Sequence, residues 1–217
     1  MNTLSMSRGM ETNSVMRNTY MLLSLTLLWS ALTAYVGTNV QMGLGMFIML
    51  VVAGFASLFA TLAFRDSALG LLFVFMFTGI EGFSLGPVLS HYLHLKNGGM
   101  IVGVSAGLTG GVFALLSAYA LVSKKNFDFL GGMLFAGLIA LLLASIVGIF
   151  FPIPAFQLAL AAIGVLIFSG YVLYDTSRII HGGETNYIVA TVSLYLDILN
   201  LFLDILRLVA AFSSSDD

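Results

Sequence analysis

The chain has 217 residues, of which 59% are hydrophobic and 8% charged, against roughly 25% charged in an ordinary soluble domain, so it reads as an integral membrane protein. It has no cysteine, which excludes a disulfide framework, a thiolate metal site and a cysteine nucleophile. A formal net charge of -2 with eight scattered Lys and Arg leaves no basic patch for nucleic acid.

Residues 1–16 are polar and lack a sustained period, and they read as a flexible N-terminal tail. A signal peptide is the rival reading, but the apolar stretch from Tyr20 to Val36 is longer than a signal core and no small-x-small cleavage site follows it. Seven apolar segments come next, at 18–38, 44–64, 68–90, 100–122, 129–150, 156–177 and 188–212, and a short polar tail closes the chain at 213–217. About 20 apolar residues in a helix cover the roughly 30 Å of a bilayer core. The expected fold is therefore all-α and polytopic, a seven-helix transmembrane domain over 17–212 with short antiparallel connections. Arg65, Asp66 and Ser67 read as a turn between the second and third spans, since one overlong helix would leave Arg65 in hydrocarbon. Arg8, Arg17, Arg65, Lys124, Lys125 and Arg178 all fall on one side if the N-terminus is inside, whereas Lys96 alone lies opposite. That bias predicts a cytoplasmic N-terminus and, with seven spans, a C-terminus outside.

Gly99, Gly103, Gly107 and Gly111 recur every four residues, as do Gly132, Ala136, Ala140, Ala144 and Gly148; such faces suggest close helix packing. Pro87 should kink the third helix. His91 and His94 stand three apart in the third connection without an evident third metal ligand, and His181 with Glu184 reads as a polar turn. No nucleotide-binding loop, HExxH or GxSxG motif occurs, so neither an enzyme nor a tightly bound cofactor is expected.

The last segment organises the rest. Ser193, Asp197, Asn200, Asp204 and Arg207 follow steps of four, three, four and three, which puts them on one helix face. A charge at mid-bilayer costs roughly 3 kcal/mol on insertion scales. The stripe must therefore face protein or water, and the C-terminal helix is expected at the centre of the bundle.

Asp175, near the end of the sixth span, and Asp197 lie at depths of roughly 10 and 15 Å from the intervening turn at 1.5 Å per residue, so a hairpin capped at Gly182 can bring them face to face. Two carboxylates in a low-dielectric site do not both ionise cheaply; they share a proton and titrate as a unit. Ca²⁺ can replace that proton, weakly, because it wants six to eight oxygens. Arg65 is a candidate latch for Asp175. A second polar cluster of Glu81, Asn200, Asp204 and Arg207 reads as an outer gate, a second cation site or a register-fixing salt bridge.

FTGIEGFSLGP in the third span, SKKNFDFLGGML before the fifth, LYDTSRIIHGGETNYI ending the sixth and VSLYLDILNLFLDILRL in the seventh together resemble the transmembrane Bax-inhibitor-motif family, in its bacterial branch. The resemblance covers residues 17–212 and implies a seven-helix fold with the last helix central. It implies a pH-sensitive calcium leak of the bacterial inner membrane, its metal site at Asp175 and Asp197 and its latch at Arg65, with calcium ions, protons and the lipid bilayer as partners. The bacterial branch also implies an alternative, restraint of the ATP-dependent membrane protease FtsH. Asp204 departs from the commoner uncharged residue of the family at its place in LFLDILRL.

Overall fold

The computed structural model describes residues 3–214, and the side chains of 12–213. It contains α1 (Thr3–Gly37), α2 (Leu44–Ala63), α3 (Ala68–Ser84), α4 (Gly86–Leu93), α5 (Gly98–Ser123), a 3₁₀ turn (Asp128–Leu130), α6 (Gly131–Phe150), α7 (Pro154–His181) and α8 (Tyr187–Ser214), with no strand among the described residues. Seven stretches are long and apolar enough to cross a membrane, α3 and α4 together forming the third. The fold is thus all-α and polytopic. α8 is the most enclosed stretch, with 61% of its most apolar window buried against no more than 33% in the others, which agrees with the polar stripe.

Sequence and structure differ at three places. The stretch read as an N-terminal tail carries helical backbone from Thr3 on, continuous with the first span; a helix already nucleated extends at little cost through residues that include no proline. The C-terminal tail falls mostly at 215–217, outside the described residues. The kink expected from Pro87 is a full break at Leu85, with Pro87 in the first turn of α4, where its missing N–H costs nothing.

The third difference concerns the glycines. Nothing lies within 4 Å of where a Cβ would stand at Gly99, Gly103, Gly107, Gly111 or Gly132. Among the described residues those five glycines make no close helix contact, whereas Gly148, at the end of the second repeat, meets Gln157 of α7. Tight contacts occur instead at Gly37 and Gly86, which set backbone against backbone, and at Gly82 against Ser30 and Thr33. A glycine repeat marks only where close approach is allowed, and the packing partner decides where it happens.

The chain divides into two compact units. The first holds α1–α4 and residues 182–195. Here α3 packs against both α1 and α2, and α4 against α1. Trp29 Nε1 donates to the Phe75 carbonyl at 3.0 Å, and Gly79 makes room for the indole. Tyr195 is fully buried, meets Phe77 edge-on, and shares a hydrogen bond of 2.7 Å with Ser30 Oγ while donating to the Thr78 carbonyl at 3.2 Å. Asn186 caps α8, its Oδ1 accepting from Ile188 and Val189 N–H at 2.9 and 3.1 Å. Its Nδ2 donates to the Arg65 carbonyl and to Asp66 Oδ1, which ties the α2–α3 turn to the start of α8.

The second unit holds α5, α6, α7 and the chain from Leu196 on. α7 packs against α5 and α6, and Phe168, Leu201 and Ile205 form its core with Val112, Leu138 and Val165. Two buried hydroxyls of α5 are satisfied within their own helix, Ser105 on Ile101 and Thr109 on Ser105, the economical solution where no water reaches. α7 ends as expected at Gly182, whose φ of 74° is the left-handed conformation that glycine adopts without strain.

Candidate functional site

The second unit brings Asp175 and Asp197 together. α7 supplies Asp175, half-buried, and α8 supplies Asp197, only 6% exposed. Their carboxyls lie close enough to interact, and two carboxylates side by side in a buried site favour a proton between them. Asp197 Oδ2 is buried without a hydrogen-bond partner among the described residues, and an orphaned buried acceptor is expensive to leave unpaired. Tyr171, one turn before Asp175, lies near both acids. Asn200 spends its Nδ2 on the Leu196 carbonyl at 2.8 Å. The donor set is thus two carboxylates, short of the six to eight oxygens of a strong Ca²⁺ site. No group of three or more His, Asp and Glu able to hold a metal occurs among the described residues.

Farther along α8, Asp204 is 7% exposed and pairs with Arg207 Nη1 at 3.4 Å. Its carboxylate occupies the space that a side chain at Gly164 of α7 would need. Gly164 escaped the sequence reading because a lone glycine in an apolar helix says nothing about its partner.

The remaining candidates lie in the first unit. Glu81 of α3 is half-buried, and its Oε1 fills the place of a side chain at Gly54 of α2. Tyr195 of α8 binds Ser30 and the Thr78 carbonyl. Arg65 is exposed and stands 3.7 Å from Asp66.

His91 and His94 line a cavity of about 590 Å³ with Asn39, Gln41, Pro87 and Ser90, and His94 Nδ1 lies 2.7 Å from the Ser90 carbonyl. Sequence reasoning also passed over Ser177. Its Oγ accepts from Phe127 N–H at 3.0 Å, a partner fifty residues away for which the sequence carries no signal.

Residues 12–214 match the family described as Inhibitor of apoptosis-promoting Bax1. The chain is 43% identical to an uncharacterized membrane protein of Vibrio cholerae over 99% of its own length and 96% of that relative. It is also 43% identical to the Modulator of FtsH protease YccA of Escherichia coli K12 over 95% of its length and 94% of the relative. The same identity holds to a protein of Escherichia coli O6:H1 named Inner membrane protein YccA. A family match that spans nearly every described residue, on seven membrane-crossing helices, establishes that the chain belongs to the Bax inhibitor-1 family.

Proposed function

We propose that this protein is a multi-pass inner-membrane protein that binds and restrains the membrane protease FtsH, with its N-terminus in the cytoplasm and its C-terminus outside. The observation that carries the reading is identity of 43% across 95% of the chain to a relative named as a modulator of that protease. Identity over such a span supports a common fold, on which the same kind of partner surface can be carried. The reading is tested by co-purification with FtsH and by the rate at which FtsH degrades a membrane substrate in its presence. Association with slowed degradation supports it; neither effect at stoichiometric amounts overturns it.

A second reading rests on the acids of α7 and α8. The nearness of the Asp175 and Asp197 carboxyls and the unpartnered Asp197 Oδ2 favour a site where a proton and Ca²⁺ compete for the same oxygens, which is the chemistry of a pH-gated calcium leak. On this reading Arg65 is a candidate latch, and Glu81, Asn200, Asp204 and Arg207 are the candidates for a second polar cluster. Calcium efflux from loaded vesicles across pH 5–8 tests this. Efflux no faster than from empty vesicles at every pH removes the leak and leaves the protease reading untouched.

A further inference from the structure

The connection after α1 and the short helix α4 form the two walls of the 590 Å³ cavity, with Met42 on the first wall and His91 and His94 on the second. These walls are clamped together. A side chain at Gly37 would run into the Phe83 carbonyl and Gly86, and one at Gly86 into the Gly37 backbone, so the end of α1 lies directly on the break between α3 and α4. The turn that follows is held by bonds of its own. Val40 N–H reaches the Gly37 carbonyl at 3.1 Å, and Asn39 Nδ2 reaches that of Tyr35 at 3.1 Å. The residues around the cavity are thus positioned before any ligand arrives, which lowers the cost of binding one.

The histidines share one face of α4. His94 closes the helix with right-handed helical backbone, its N–H reaching the Ser90 carbonyl at 3.2 Å, so it stands one turn beyond His91. Residues three apart on a helix have Cβ atoms about 5–6 Å apart, a spacing at which paired helical ligands hold one ion. His94 Nδ1 lies 2.7 Å from the same carbonyl. A carbonyl only accepts, so Nδ1 carries the proton, and Nε2 of the neutral ring keeps the lone pair that a metal takes. Anchoring through the second ring nitrogen is the usual arrangement of a ligand histidine. Both side chains are exposed, so an ion reaches them without opening the core.

No further His, Asp or Glu makes a group of three with them among the described residues. Met42, half-buried at the same cavity, supplies a third donor of another kind. Its unbranched thioether turns about three bonds and adapts to an ion nearby. The sulfur also sets the metal, because imidazole serves zinc and copper alike whereas a thioether selects Cu(I). Among the described residues the cavity is lined by no carboxylate, and uncharged ligands suit a single positive charge better than a double one. Ca²⁺ and Mg²⁺ want oxygen ligands and gain little here.

We propose that Met42, His91 and His94 form a binding site for the cuprous ion. The site uses no residue of the aspartate pair and rests on neither functional reading above.

The test takes the full chain, purified without a histidine tag and held in lipid nanodiscs, and titrates it in anaerobic buffer against the coloured bicinchoninate complex of Cu(I). The chain has no cysteine, three histidines and eleven methionines, so the variants assign the binding. The parent is expected to withdraw one equivalent of copper, and the double variant His91→Ala with His94→Ala none. Met42→Leu weakens binding by at least the roughly tenfold that even an outer-shell partner of a metal is worth, and Asp197→Asn behaves as the parent. Should the double variant fail to fold, Met42→Leu and each single histidine variant still decide. No withdrawal by the parent, withdrawal undiminished without the histidines, equal affinity in Met42→Leu and parent, or a loss in Asp197→Asn overturns the proposal.

Discussion

Gly164 leaves the room that the Asp204 carboxylate occupies, and this relation sets the sharpest expectation for a single atom group. Gly164→Ala forces its methyl into that carboxylate, and overpacking of this kind costs about 1–3 kcal/mol. Gly103→Ala meets nothing within 4 Å and should change stability by less than about 0.5 kcal/mol. Thermal unfolding of the two variants in the same detergent checks the contrast, and equal melting temperatures contradict the packing described. Asp197 carries the second expectation. With Oδ2 unpartnered and its carboxyl beside that of Asp175, Asp197→Asn keeps a polar group of the same size but removes one of the two acids able to share a proton. On the leak reading it abolishes the pH dependence of calcium efflux in vesicles, and a pH profile equal to the parent's argues against a proton on this pair.

Among the elements, α8 depends on a cap that lies outside its own apolar run. Asn186 Oδ1 accepts two of the first free N–H groups of α8, while Nδ2 reaches the α2–α3 turn. Asn186→Ala loses both and should cost at least the about 0.5–2 kcal/mol of a lost cap, read as a lower melting temperature; no change would mean that the turn at 65–67 and α8 are held by packing alone. The helices themselves were legible from sequence because a run of about 20 apolar residues is a local property. The turn at Arg65–Ser67 and the cap at Gly182 were legible for the same reason. What escaped were properties of partners. The Gly99–Gly111 repeat has the spacing of an interface and no neighbour, while Gly37 and Gly86, far apart in sequence and in no repeat, carry a real backbone contact. The bond between His181 and the Lys124 carbonyl was equally silent, since a backbone acceptor leaves no trace in residue identity. The two acids could be named because charges are rare in apolar runs. Their nearness to one another needed the register of α7 against α8.

At the scale of the whole molecule, the family match over residues 12–214 includes all seven stretches long and apolar enough to cross a membrane. Removing residues 1–16 should weaken restraint of FtsH while leaving calcium efflux unchanged, and Asp175→Asn should do the reverse. A truncation that impairs both readouts equally would point to loss of the fold. The most direct measurement is the degradation rate of a membrane substrate by FtsH co-reconstituted in proteoliposomes with and without this protein. A rate that falls in proportion to the protein added is the result expected here, and a rate unchanged at a several-fold molar excess would contradict the assignment.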